Sequence, residues 1–111
     1  MLVKCYPSQL NQVFMNILIN AIESIEGKGT ITISAIKSAN EARFEIEDTG
    51  KGIPLESYSK VFEPFYSTKG AKNGTGLGLS ISHSIIEKHR GNISIRPNEP
   101  VGTIVSIAIP L

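Results

Sequence analysis

Apolar residues recur at helical spacing in two segments of the chain. Behind Pro7-Ser8, a favourable helix start, the spacing is that of one buried helical face. The residues on that face are Leu10, Val13, Phe14, Ile17, Ala21 and Ile25. The pattern predicts a first helix over roughly residues 9–26, ended by two glycines. A second helix is predicted from about Leu77 to His89, with three isoleucines available for burial.

Four further segments are rich in β-branched residues or alternate between apolar and polar positions, as strands do. They cover residues 30–36, 42–47, 92–96 and 103–109. The first two segments predict a hairpin, and the last two are joined through a short turn. A short helix is also expected over residues 55–61. This order of elements predicts an α+β two-layer sandwich, in which a mixed β-sheet is covered on one face by about three helices.

Length and composition limit the class of protein. A chain of 111 residues with 41% hydrophobic content is large enough for one core, so residues 1–111 are expected to form one domain. The net charge of +1 gives no reason to expect nucleic acid or a membrane surface as a partner. The single cysteine, Cys5, and the lack of a long apolar run favour a cytoplasmic setting without membrane insertion of this domain. The parent protein can still be membrane-bound.

Two asparagines on the first predicted helix are candidates for metal binding. Asn16 and Asn20 are four residues apart, so their amides project from the same side, about 40° apart around the helix. An isolated pair of this kind is usually exposed on a helix surface. Here apolar residues flank the pair, which favours a cleft where neutral oxygen ligands join phosphates around Mg²⁺.

The segment Asp48-Thr49-Gly50-Lys51-Gly52-Ile53 leaves a predicted strand and turns at two glycines. Glycine permits backbone conformations closed to other residues and the close approach of a flat ligand. A carboxylate fixed there can accept a hydrogen bond from the exocyclic amine of adenine, where guanine has a carbonyl instead. The alternative interpretation is an ordinary Asp-rich turn.

A glycine-rich segment, Gly74-Thr75-Gly76-Leu77-Gly78-Leu79, directly precedes the second predicted helix. Its backbone N–H groups and the positive helix end can hold a phosphate chain. It is neither a dinucleotide-binding fingerprint, because Leu79 stands where the third glycine belongs, nor a Walker loop. Lys69 lies directly before residues 70–76, a stretch that is expected to be mobile, and it can reach the terminal phosphates; a solvated surface lysine is the alternative.

Aromatic residues flank a proline in Phe62-Glu63-Pro64-Phe65-Tyr66. Hydrophobic anchorage is the simplest role for this segment. The alternative is a hinge that sets the position of a lid over the nucleotide.

These four segments together resemble the N box, first glycine box, F box and second glycine box of the histidine-kinase branch of the GHKL ATPases. They occur in the family's order and approximate spacing. Gly102-Thr103 before the last strand and the closing Ile109-Pro110-Leu111 resemble the family's ending. The resemblance covers nearly the whole chain and implies the Bergerat fold, with ATP and Mg²⁺ as cofactors.

The resemblance also implies roles for individual residues. Asn20 would coordinate Mg²⁺, Asp48 would hold the adenine amine directly and through water, and Thr103 would join that water network. The candidate catalytic residues are Asn16 and Lys69. The ATP-binding candidates are Asn16, Asn20, Asp48, Gly50, Gly52, Ile53, Lys69, Gly74, Thr75, Gly76, Leu77, Gly78, Leu79 and Thr103.

Asn16 stands where ATP-hydrolysing relatives carry a glutamate general base. An amide cannot accept a proton from water at neutral pH, so this position favours phosphoryl transfer over hydrolysis. Glu23 and Ser24 replace a lysine and an aromatic residue found in many of these kinases, so the contacts assigned to those two residues do not carry over.

No segment resembles the family's phosphoacceptor helix. His83 and His89 are expected to serve as surface residues, with His89 favoured near a helix C-terminus by the helix dipole. The resemblance therefore implies transfer of the γ-phosphate to a histidine on a dimerisation hairpin of the same protein, with a response regulator as the downstream partner. The alternatives are a GHKL serine kinase or ATPase, and a non-catalytic nucleotide-binding docking module.

Overall fold

The computed structural model describes residues 3–54, 62 and 78–111. In chain order the elements are α1 (Pro7–Ser24), β1 (Ile31–Lys37), β2 (Glu41–Asp48), α2 (Gly78–Lys88), β3 (Asn92–Pro97) and β4 (Thr103–Pro110). All six were predicted, and each end falls within about two residues of its predicted position, the usual uncertainty of a helix end. Pro7 occupies the first turn of α1, where its missing N–H costs nothing.

The sheet has the strand order β1-β2-β4-β3, and every neighbouring pair is antiparallel. The expectation of a mixed sheet is therefore wrong for the described strands. Strands β2 and β3 do run in the same direction, as the intervening helix α2 requires. Because β4 returns between them, they are not neighbours, and no parallel ladder forms.

The core lies between the two helices and one face of the sheet. α1 contributes Leu10, Val13 and Ile17, and α2 contributes Ile86. The strands contribute Ile46, Ile93, Val105, Ile107 and Ile109. The predicted face of α1 is confirmed, although Phe14 is only half-buried and packs edge-on against Phe44 at 5.3 Å between ring centroids.

The opposite face of the sheet is covered by long charged side chains. Arg43 donates to Ser106 Oγ at 3.2 Å, and Arg96 forms an ion pair with Glu45 at 3.2 Å across the intervening strand β4. These side chains leave Ser106 only 3% exposed. Among the described residues, both helices thus lie on one face, as the two-layer prediction requires.

Two helices, rather than about three, occur in the described part of the chain. The short helix expected over residues 55–61 lies outside the described residues. Neither described helix is long and apolar enough to cross a membrane.

Candidate functional site

Asp48 is the last residue of β2 and lies on the face of the sheet that the helices cover. Alternation along the strand places it on the same side as Ile46, and it is only 6% exposed. Its Oδ1 accepts hydrogen bonds from the backbone N–H groups of Gly50 at 2.9 Å and Thr103 at 3.3 Å. Both bonds end on Oδ1, so a carboxylate with about four lone-pair sites keeps acceptor capacity on Oδ2.

Thr103 is the register partner of Asp48 on the neighbouring strand. It is 6% exposed, and its backbone N–H holds the Asp48 carboxylate. The structure therefore brings together two residues that are 55 positions apart and that the sequence placed at one end of the ligand.

The first glycine segment turns against the end of α1. Gly50 is buried, and a Cβ there would collide with the Ser24 side chain, so only glycine fits this approach. The Lys51 N–H donates to the Ser24 carbonyl at 3.0 Å. Gly52 has φ of 77°, a conformation that glycine adopts readily and other residues rarely do.

A pocket of about 380 Å³ opens directly after this turn. Its lining among the described residues consists of Lys51, Gly52, Ile53 and Pro54. The pocket therefore lies next to Asp48 in sequence and includes two of the predicted ligand contacts, Gly52 and Ile53.

Asn16 and Asn20 meet the beginning of α2. The Asn16 amide donates to the Gly78 carbonyl at 3.3 Å and approaches Ser82 Oγ at 3.5 Å. A Cβ built on Gly78 would lie 3.8 Å from Asn16 Cβ and 3.9 Å from Asn20 Nδ2. The prediction that the two amides share one side is thus confirmed by their common neighbour.

One face of α1 joins these two regions. Asn16, Asn20 and Ser24 recur every four residues, which places them on one side of the helix. The first two lie against Gly78 and the third lies against Gly50. At 1.5 Å per residue, the face spans about 12 Å from Asn16 to Ser24.

The remaining predicted site residues divide between described and undescribed parts of the chain. Gly78 and Leu79 form the first turn of α2, and both are half-buried. Lys69, Gly74, Thr75, Gly76 and Leu77 lie outside the described residues, as does the stretch 70–76. Phe62 is described; it packs against the core, and its ring lies 5.2 Å from that of His83, as hydrophobic anchorage predicts.

The two histidines have different environments. His83 is partly exposed and lies 3.2 Å from Glu87 one turn along α2. His89 Nδ1 contacts the Ile85 carbonyl at 2.8 Å, and its Nε2 accepts the Tyr6 N–H at 3.1 Å. Because a carbonyl oxygen only accepts, this network assigns the proton to Nδ1. His89 therefore joins the end of α2 to the start of α1, which a dipole contact alone did not predict.

Sequence reasoning missed three residues that shape the site. Ser82 is fully buried and donates to the Gly78 carbonyl at 2.8 Å; its position one turn before buried Ile86 was the available signal. Ser24 contacts Gly50, as described above. Asn98 donates from Nδ2 to the Asp48 carbonyl at 2.9 Å, and no local pattern indicates a partner 50 residues away.

Comparisons with known proteins agree on one family. Residues 5–111 match the family model described as histidine kinase-, DNA gyrase B- and HSP90-like ATPase. Sporulation kinase C of Bacillus subtilis (strain 168) is 40% identical over 104 residues. That match covers 94% of this chain but 24% of the relative, so the chain spans about a quarter of the relative's length.

Solved structures show the same architecture. The nucleotide-free catalytic domain of histidine kinase ThkA superposes with a TM-score of 0.87 at 36% identity, covering 97% of this chain and 71% of that one. Full-length ShkA in complex with AMPPNP superposes with a TM-score of 0.80 at 26% identity, covering 92% of this chain and 21% of that one.

Proposed function

The chain belongs to the family of histidine kinase-, DNA gyrase B- and HSP90-like ATPases, and from this premise we propose that it binds Mg-ATP for phosphoryl transfer to a histidine. In this proposal residues 1–111 act as the catalytic and ATP-binding domain of a two-component sensor kinase. The acceptor histidine lies on a dimerisation hairpin of the same protein, and a response regulator receives the phosphoryl group afterwards.

The observation that carries the proposal is the buried carboxylate of Asp48. Two backbone N–H groups fix Oδ1, which leaves Oδ2 able to accept the exocyclic amine of adenine. Guanine presents a carbonyl at that position, and its oxygen would face a carboxylate oxygen without a proton between them. The site therefore favours ATP over GTP.

The face of α1 that carries Ser24, Asn20 and Asn16 gives the nucleotide its direction. The base lies at the Gly50 end, and the phosphates extend about 12 Å along α1 towards the N-terminus of α2. Backbone N–H groups at that helix end attract anionic groups. Gly74 to Leu79 and Lys69 complete the phosphate site in this proposal.

Asn20 is the proposed magnesium ligand, because its amide lies beside Gly78 and supplies the hard oxygen that Mg²⁺ prefers. Magnesium neutralises charge on the phosphate oxygens when it is bound. Asn16 holds the start of α2 through Gly78 and Ser82. An amide at that position cannot serve as a general base towards water, so the domain favours transfer over hydrolysis.

In this proposal the attacking nitrogen belongs neither to His83, whose Nδ1 lies 3.2 Å from Glu87 Oε1 on the same helix, nor to His89. Both ring nitrogens of His89 are held in hydrogen bonds between α1 and α2, and Nε2 faces the Tyr6 N–H. Attack on a phosphoryl group needs a nitrogen roughly in line with the leaving oxygen. A histidine on a separate hairpin meets that requirement.

Calorimetric titration with ATP and GTP tests the base site. We expect Asp48→Ala to weaken ATP binding by about 1–3 kcal/mol through the lost charged hydrogen bond. Glu47→Ala is the matched control, since it removes the neighbouring carboxylate from the other face of the same strand. Equal affinity for ATP and GTP in the unmodified protein, or unchanged ATP affinity in Asp48→Ala, would show that the base pocket is elsewhere.

A further inference from the structure

The turn between β3 and β4, residues 98–102, closes onto the end of β2. Asn98 Nδ2 donates to the backbone carbonyl of Asp48 at 2.9 Å. The other polar groups of Asn98 stay within the turn: its N–H donates to the Gly102 carbonyl at 3.0 Å, and its Oδ1 accepts the Glu99 N–H at 2.9 Å. The local bonds therefore orient the side chain and aim its amide N–H at β2.

Gly102 packs closely against the same backbone carbonyl of Asp48. Its φ is 111°, and a Cβ on Gly102 would collide with the Asp48 carbonyl oxygen. Gly52 in turn packs on Gly102, since a Cβ there would lie 3.4 Å from the Gly102 carbonyl oxygen. The β3–β4 turn thus contacts both the carboxylate-bearing residue and the glycine turn that follows it.

Residues 98–103 consequently hold Asp48 at two points. Asn98 fixes its backbone carbonyl, and the Thr103 N–H fixes its carboxylate. Rotation of the Asp48 peptide would swing the Cα–Cβ bond and displace the carboxylate from the base. The Nδ2 bond is not needed to close the turn, because the turn is closed by the backbone N–H and Oδ1 of Asn98.

We infer that Asn98 is a positioning residue for the adenine acceptor, so that the β3–β4 turn sets how strictly the site distinguishes adenine from guanine. The inference rests on the proposed function, in which Asp48 holds the adenine amine. Asn98 touches no part of the base itself; it acts through Asp48.

Asn98→Asp isolates the contact, because aspartate keeps the Oδ1 acceptor and replaces the Nδ2 donor with an oxygen that faces the Asp48 carbonyl. The measurement is the ratio of ATP to GTP affinity by competition titration, together with the melting temperature. The ratio cancels the repulsion between the added charge and the phosphates, which both nucleotides share. Asn92→Asp, at the exposed start of β3, makes the same charge change as a control.

We expect the ATP to GTP affinity ratio to fall about fivefold in Asn98→Asp, the effect of one lost hydrogen bond, and to remain unchanged in Asn92→Asp. Asn98→Ser removes the amide without adding charge and decides the matter if the aspartate variant does not fold. A purely structural role would lower the melting temperature and reduce the affinities for ATP and GTP by the same factor. That result would overturn the inference.

Asp48→Ala in the same series distinguishes failure of the positioning role of Asn98 from failure of the base site at Asp48. If Asp48→Ala abolishes discrimination while both Asn98 variants retain it, the positioning role is wrong and the base site stands. If Asp48→Ala leaves discrimination intact, the proposed base site itself is wrong, and the role of Asn98 is overturned with it.

Discussion

Asp48 combines two roles that usually conflict. It ends a buried strand, where its backbone carbonyl needs partners, and in the proposed function its carboxylate must keep acceptor capacity for the adenine amine. The structure separates these demands: Asn98 binds the carbonyl, and two backbone N–H groups share Oδ1. The carboxylate is thereby fixed through Oδ1, while Oδ2 keeps its acceptor capacity.

Gly102 allows this arrangement, and its replacement tests how tightly the segment packs. We expect Gly102→Ala to lower the free energy of unfolding by more than about 3 kcal/mol, because its φ of 111° and the collision with Asp48 both oppose a side chain. Gly27→Ala is the control: φ is also positive, at 73°, but no atom lies within 4 Å of the added Cβ. That variant should cost about 1–2 kcal/mol. Equal losses in urea denaturation would show that the close approach of Gly102 is unimportant.

The two asparagines of α1 should behave differently on substitution. Asn20→Ala is expected to lower the affinity for magnesium at fixed nucleotide by about tenfold or more, since it removes the proposed ligand oxygen. Asn16→Ala should instead cost about 1 kcal/mol of stability through its lost bonds to Gly78 and Ser82. Titration of magnesium at fixed nucleotide distinguishes the two variants. An equal effect of both on the metal would mean that the assignment of the ligand to Asn20 is wrong.

Individual site residues were predictable from sequence where the signal was local. Asp48 stands at the end of an alternating segment and before two glycines, so its place at a strand end could be predicted. Asn98 and Ser24 gave no such signal, because their importance comes from contacts with residues that folding brings close. Their roles follow from sheet register and helix packing, which local pattern does not specify.

At the scale of elements, α1 and α2 are joined at both ends of their contact. Asn16 bonds Gly78 and Ser82 at the start of α2, and His89 accepts the Tyr6 N–H at its end. Tyr6 is the N-cap residue of α1, and its backbone N–H donates to His89 Nε2 on the neighbouring helix. These contacts fix the relative position of the two helices, and in the proposed function they also fix the phosphate end of the nucleotide site.

Replacement of the two histidines compares a hydrogen bond between the helices, made by His89, with a largely exposed pairing on α2, made by His83. His89→Ala should lower the free energy of unfolding by about 1 kcal/mol, since it removes the hydrogen bond to the Tyr6 N–H and the edge-on contact with the Tyr6 ring. His83→Ala should cost less than about 1 kcal/mol, because its pairing with Glu87 is largely exposed. Chemical denaturation of both variants gives the comparison. A larger loss in His83→Ala would contradict the role assigned to His89.

The elements themselves were largely predictable, because apolar spacing distinguishes helices from strands. The sheet topology was not. The order of helices and strands along the chain suggested a mixed sheet. Strand β4 pairs instead with β2, where Asp48 lies opposite Thr103, and with β3, where Asn92 lies opposite Ala108. Which strand enters that gap depends on the packing of the complete sheet.

At the scale of the whole molecule, the proposed function gives this domain a nucleotide site, and the two described histidines make other contacts. His89 joins two helices, and His83 pairs with Glu87 beside Phe62. We therefore propose a division of labour, in which this chain binds and orients Mg-ATP and a separate hairpin supplies the nucleophile.

The decisive experiment for this division of labour is incubation of this chain with γ-labelled ATP, with and without the dimerisation hairpin as a separate polypeptide. We predict little or no label on this chain alone and acid-labile, base-stable label on the hairpin when both are present. Label on this chain that disappears in His83→Ala or His89→Ala would contradict the division of labour. Label on serine would identify a serine kinase instead, and an unlabelled hairpin despite bound ATP would indicate a non-catalytic nucleotide-binding module.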